Sequence, residues 1–87
     1  MHVSVEISLY PLTADYEPPI VAFIQRLPRE GITVATNPLS TQLSGEYDTV
    51  MAALTEAMRP TLDMKGSCSF VLKILNVAIE PGKNLEF

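Results

Sequence analysis

Asn37-Pro38-Leu39-Ser40-Thr41-Gln42-Leu43-Ser44-Gly45-Glu46-Tyr47-Asp48 reads as the end of one strand, a corner, a second strand and the start of a helix. Pro38 has no N–H to give to a ladder, so the chain turns over residues 38–40. From 41 to 46 large apolar bulk appears once, at Leu43, with Gln42, Ser44 and Glu46 on the opposite side of the strand. Asp48 is the expected N-cap of the helix. Two strands joined by a corner and followed at once by a helix form the centre of a βαββαβ chain. The same stretch strings hydroxyls, an amide and a carboxylate along the middle of a sheet, which points to a small polar ligand.

Outward from that centre, residues 2–10 alternate strictly. Val3, Val5, Ile7 and Leu9 fall on one side, and His2, Ser4, Glu6, Ser8 and Tyr10 on the other, the period of a strand with one buried face. Pro11 ends it. A helix follows with Asp15 as its expected N-cap, Glu17 at the positive end of the dipole, and Pro18 and Pro19 in the first turn, where N–H groups lack intrahelical partners. Ile20, Phe23, Ile24 and Leu27 recur at i, i+3, i+4 and i+7, an apolar stripe. Pro28 stops the helix and Gly31 supplies a left-handed exit. Strand two covers 32–37. The second helix carries Met51, Leu54 and Met58 on one face, is interrupted or kinked at Pro60, and is closed by Gly66. A last strand over 68–78 sets Phe70, Leu72 and Ile74 against Val71, Lys73 and Leu75.

This order predicts an α+β, ferredoxin-like sandwich, with a four-stranded antiparallel sheet in the order 4-1-3-2 and two helices on one face. Strands one and three are expected as the two central neighbours, running parallel. Val3, Val5, Ile7, Leu9, Leu43, Phe70, Leu72 and Ile74 should turn to the helices. The other face is expected to lie uncovered and to present Ser4, Glu6, Ser8 and Tyr10 beside Gln42, Ser44 and Glu46 as one polar patch. Residues 1–78 make one domain, and residues 79–87 a tail that frays or docks on a partner.

Composition bounds the function. The 87 residues allow one core, and a 47% hydrophobic share is too rich for disorder. The net charge is -4 and the six cations (Arg26, Arg29, Arg59, Lys65, Lys73, Lys83) are scattered, which argues against nucleic acid and anionic membrane as partners. An acidic chain suits a cationic or neutral ligand. A single cysteine, Cys68, excludes an internal disulfide and reads as an inert strand thiol. The N-terminus shows no basic-then-apolar leader, and no apolar run approaches the ~20 residues of a membrane span. A cytoplasmic location is expected, with no membrane insertion. No GxGxxG, P-loop, CxxC or HExxH is present, so no catalytic residue, metal or cofactor is expected and the chain is not read as an enzyme. His2, the one histidine, is not expected to build a metal site or a Ser–His pair.

Several polar residues admit two readings. Glu6 is either an acid–base or cation-binding group, or half of a cross-strand ion pair with Lys73. Glu46 either meets a ligand or fixes the strand-to-helix junction by a hydrogen bond. Tyr10 and Tyr47 either wall a planar or cationic ligand or seal the edge of the core. Asn37, Ser40 and Thr41 either contact a ligand or satisfy the backbone around Pro38.

Glu6-Ile7-Ser8-Leu9-Tyr10-Pro11-Leu12, the helix start Asp15-Tyr16-Glu17-Pro18-Pro19-Ile20, the block from Asn37 to Met51 and the final Phe70-Val71-Leu72-Lys73-Ile74 together resemble the YKOF-related thiamine-binding family, as a single-domain member. The resemblance runs in order through nearly the whole chain. Many relatives carry glycine where this chain has Thr13-Ala14. The resemblance implies binding of thiamine or its hydroxymethylpyrimidine moiety without chemical conversion, in thiamine precursor salvage or transport, by a homodimer or homotetramer. Carried over onto this sequence, it implies Ser8, Asn37, Ser40, Thr41 and Glu46 as polar contacts and Tyr10 as a wall. The competing expectation is a structural or regulatory homo-oligomer whose polar sheet face is a protein interface.

Overall fold

The computed structural model describes residues 1–85. Its elements follow in the order β1 (His2–Pro11), α1 (Glu17–Gln25), β2 (Ile32–Thr36), β3 (Thr41–Glu46), α2 (Tyr47–Leu62) and β4 (Cys68–Leu75). The sheet order is β2-β3-β1-β4, the same as 4-1-3-2 read from the other edge, so the fold is the α+β sandwich the pattern predicts. β1 and β3 are the central pair, but they run antiparallel, with His2 opposite Glu46 and Ile7 opposite Thr41. The reason is topological: the α1 crossover sets β2 parallel to β1, and β3 returns from β2 through a short corner.

Alternation in β1 sends Val3, Val5, Ile7 and Leu9 into the core, where Phe23, Leu27, Leu43, Val50, Leu54 and Ala57 meet them. Gly31 exits towards β2 at φ 89°, the left-handed geometry expected of it. Four local expectations are corrected. Tyr16, not Asp15, is the N-cap of α1 and makes no side-chain cap bond. Glu46, not Asp48, caps α2. Pro60 does not interrupt α2, which runs on through it to Leu62; beside it the Arg26 guanidinium donates to the Ala57 carbonyl at 3.0 Å and to Thr61 Oγ1 at 2.6 Å, tying the end of α1 to this weak point in the helical ladder. β4 ends at Leu75 rather than Ala78.

Both broad faces also differ from expectation. Phe70 packs its ring 4.9 Å from that of Phe23, but Leu72 and Ile74 stay 39% and 42% exposed, because the helices pack over the two central strands and β4 projects past them. The opposite face is only partly open: Glu6 and Tyr10 stay exposed on it, but Ser4 and Ser44 do not. Leaving β4, the chain folds back across it: Ser4 Oγ donates to the Val77 carbonyl at 2.6 Å and accepts from Ile79 N–H at 2.8 Å. Gly82 N–H then donates to Gln42 Oε1 at 2.9 Å, close over Ala35 of β2. Hydroxyls read as a ligand patch therefore satisfy the chain's own backbone, and Ser4 and Ser44 are buried. Of the segment 79–87, residues 86 and 87 lie outside the described residues.

Candidate functional site

β1 is longer than its partner β3. The β3 pairing stops at Ile7–Thr41, whereas the β4 pairing continues to Pro11–Cys68. Beyond Ile7 one side of β1 has no strand beside it. Leu12 N–H donates to the Ser67 carbonyl at 2.9 Å, and backbone direction alternates along a strand, so Tyr10 and Ser8 also turn to β4. The N–H and C=O of Leu9 and the C=O of Pro11 then face the gap.

That gap is a cleft of about 440 Å³ between the end of β1, the first turns of α1 and the β2–β3 corner, a size typical of small-molecule sites. Ile7, Leu9, Ile20, Phe23 and Ile24 form its apolar floor, and Ser8, Tyr10, Tyr16, Thr36, Asn37, Ser40 and Thr41 its polar and aromatic margin. No charged side chain lines it. Tyr10 and Tyr16 are exposed at the mouth, held there by the strand end on one side and by the turn before Pro18-Pro19 on the other. The corner is shaped by Asn37, whose Oδ1 accepts from Leu39 N–H at 2.9 Å and Ser40 N–H at 3.2 Å, an Asx turn of the kind asparagine supplies before proline. Ser8 Oγ donates to the Leu39 carbonyl at 3.2 Å and ties the corner to β1. Thr36 and Thr41 share a hydroxyl bond of 3.0 Å at the base of the corner.

Five of the six residues singled out in the sequence, Ser8, Tyr10, Asn37, Ser40 and Thr41, thus surround one cleft. Glu46 does not join them. It sits opposite His2, ~17 Å along the strand from Thr41, where Oε2 accepts from Asp48 N–H at 2.8 Å and Thr49 N–H at 3.4 Å and Oε1 lies 3.7 Å from the N-terminal ammonium. That is the junction-fixing alternative for this residue. Glu46→Ala is expected to cost about 1 kcal/mol, the usual worth of a cap, with ligand affinity unchanged within twofold; thermal melts beside binding titrations check both. Glu6 takes its ion-pair reading: Oε1 lies 3.7 Å from Lys73 Nζ, and Oε2 accepts from Ser40 Oγ at 3.1 Å. The expected absence of a Ser–His pair is overturned. His2 Nε2 lies 2.7 Å from Ser44 Oγ, which continues to Ser4 Oγ at 3.4 Å and so to the returning C-terminal segment. Ser4 and Ser44 are buried in this chain of bonds, while His2 at its end is exposed. Tyr16 and the Leu9 backbone were missed by sequence reasoning. Tyr16 stood between two helix-start signals, and Leu9 is exposed only through the unequal strand lengths.

Residues 5–81 match the family model described as thiamine-binding protein. The chain belongs to that family. Among solved structures, a protein from Streptococcus pneumoniae is 27% identical with a TM-score of 0.80, covering 91% of this chain and 90% of its own. A protein from Methanocaldococcus jannascii is 27% identical with a TM-score of 0.76, covering 87% and 80%. A Thermotoga maritima protein, provisionally assigned to thiamine biosynthesis/salvage, is 22% identical with a TM-score of 0.73, covering 85% and 82%; at that identity the likeness speaks for the fold alone. No curated protein sequence matches the chain. Membership in the thiamine-binding family supports a thiamine-related role for the chain and names a binding protein rather than a class of enzyme. No described helix is long and apolar enough to cross a membrane, and the described residues hold no cluster of three metal-ligating side chains.

Proposed function

We propose that this chain binds thiamine, or its hydroxymethylpyrimidine moiety, in the cleft at the end of β1 and does not convert it. The supporting observation is the uncharged, apolar-floored cleft rimmed by Tyr10 and Tyr16, into which Leu9 turns an N–H and C=O that have no strand partner on that side among the described residues. An aminopyrimidine places a ring-nitrogen acceptor next to an amino donor, the complement of the donor–acceptor pair one strand residue offers. Ser8, Asn37, Ser40 and Thr41 supply further polar groups, and the tyrosine faces suit a planar ring or a thiazolium cation. The net charge of -4 favours a cationic or neutral ligand over a polyphosphate. Glu46 stands outside this cleft, at the start of α2. The reading includes residues 1–78 as the ligand-binding domain, a cytoplasmic role in thiamine precursor salvage or transport, and self-association into a homodimer or homotetramer.

Calorimetric titration tests it. Saturable binding of thiamine and hydroxymethylpyrimidine is expected, with thiamine diphosphate weaker because no cation lines the cleft. Tyr10→Ala should weaken thiamine about tenfold, about 1.4 kcal/mol, within the range of a cation–π contact. No heat with any of the three up to millimolar concentration would sink the reading. The structural homo-oligomer is then what remains; the returning chain covers the Ser4 and Gln42 part of its proposed polar sheet face, and the exposed apolar side chains of β4 favour an interface there instead.

A further inference from the structure

The β2–β3 corner, residues 37–40, forms one wall of the cleft, and different bonds fix its shape and its position. The shape is internal. Asn37 N–H donates to the Ser40 carbonyl at 3.0 Å, Asn37 Oδ1 takes the Leu39 and Ser40 N–H groups, and the Thr36–Thr41 hydroxyl bond closes the base. All of these lie between residues 36 and 41, so they do not locate the corner against β1. It projects past Ile7–Thr41, the last β1–β3 pair, and no ladder bond reaches it from β1. Asn37, Pro38 and Leu39 are exposed, Leu39 at its tip by 87%, so core packing does not hold it either. Among the described residues two side-chain hydrogen bonds tie the corner to β1: Ser8 Oγ donates to the Leu39 carbonyl at 3.2 Å, and Ser40 Oγ donates to Glu6 Oε2 at 3.1 Å. Glu6 and Ser8 stand two apart in β1, on one face of the strand.

We propose that Glu6 is a positioning residue for the cleft, holding the β2–β3 corner at its binding distance from β1 through the Ser40 hydroxyl. The direction of that bond follows from its chemistry: an ionised carboxylate only accepts, so Ser40 donates. A hydrogen bond to an ionised acceptor is roughly twice as strong as a neutral one, which makes this tie the stronger of the two. The carboxylate is itself held. Glu6 stands opposite Lys73 of β4 in register, with Oε1 3.7 Å from Lys73 Nζ, so one oxygen serves β4 and the other the corner. Glu6 does not line the cleft and acts on a bound molecule through the corner alone. Its side chain is 48% exposed, and water competes for the Ser40 hydroxyl, so its removal costs affinity by a few-fold and not by orders of magnitude.

This role rests on the cleft reading proposed above. Hydroxymethylpyrimidine is the probe, titrated at mildly alkaline pH where it is uncharged, so that loss of a carboxylate does not act on it directly. Glu6→Ala should weaken its binding about fivefold. Glu6→Gln keeps an oxygen that accepts from Ser40 and should stay within about twofold of the wild type. In a Ser40→Ala background Glu6→Ala should have no further effect, because two residues acting through one bond are not additive. Glu80→Ala removes the same charge from beside Lys83 on the returning segment and should leave affinity unmoved. A purely structural Glu6 would shift the melting temperature without this rescue or this coupling. A wild type that binds neither hydroxymethylpyrimidine nor thiamine overturns the cleft reading and this role together. The role of Glu6 alone is overturned if the wild type binds but Glu6→Ala matches it. The same holds if Glu6→Gln is as weak as Glu6→Ala, or if Glu6→Ala costs as much with Ser40 already replaced.

Discussion

Gly45→Val is expected to cost about 3 kcal/mol and to lower the melting temperature by roughly 12–24 °C. Gly45 lies on the core side of β3, between Val3 of β1 and Ile32 of β2. A Cβ built there meets the Gly31 carbonyl oxygen at 2.8 Å, Ile32 Cγ2 at 3.1 Å and Val50 Cγ2 at 3.3 Å. Side chains can turn aside by a few tenths of an ångström. The carbonyl cannot without moving the turn that feeds β2. Gly45 is not among the glycines with positive φ, so the requirement is room for a close approach rather than a special backbone conformation. Alanine brings the same Cβ and should carry most of the penalty. A loss under about 0.5 kcal/mol for Gly45→Ala, by chemical denaturation, would mean that the β2 turn yields freely. The fraction that folds should keep its ligand affinity, because Gly45 sits near the end of β1 remote from the cleft.

The fold was legible because its signals are local. Four alternating aliphatics in β1, a 3.6-period stripe from Ile20 to Leu27 and a proline corner between two short strands leave few topologies open. What escaped depends on residues far apart in the chain. Ser4 and Gln42 look like ligand groups until Val77, Ile79 and Gly82, forty or more residues away, take their hydrogen bonds. Glu46 was placed at a strand-to-helix junction in either reading, and the sequence did not decide whether its oxygens turn to the helix N–H groups or to a ligand. Pro60 shows the limit of a local rule, since Arg26 from the other helix supports the turn that holds it. The cleft was half legible. Ser8, Tyr10, Asn37, Ser40 and Thr41 came from motif and polarity, but they converge only because β1 outruns β3, a difference of strand length no residue announces. The exposed side of β4 reads in sequence as a core strand, since apolar residues on both faces carry no mark of what covers them.

Phe23→Ala is expected to have the largest effect of any single change, about 3–5 kcal/mol. The ring is fully buried, stacks at a tilt on Phe70 and belongs both to the core and to the floor of the cleft. Its removal leaves a void next to the one place where the sheet is incomplete. A chain of this size has about 4–13 kcal/mol in hand, so the variant should sit near the edge of folding at room temperature. Its loss also withdraws support from Ile20 and Ile24, the partly buried residues of the cleft floor that pack on the core, so a planar ligand loses the firm surface it would rest on. Thiamine should therefore raise the melting temperature of the wild type but hardly that of Phe23→Ala, even at concentrations saturating the wild type, because stabilisation by a ligand is set by its affinity for the folded state. Phe23→Leu, which refills most of the volume, should recover both stability and the ligand-induced rise. If Phe23→Ala loses stability yet shows the full rise with thiamine, the ring supports the core alone and the ligand lies elsewhere. If it loses less than 1 kcal/mol, the packing of α1 on the sheet is looser than the 4.9 Å ring contact implies.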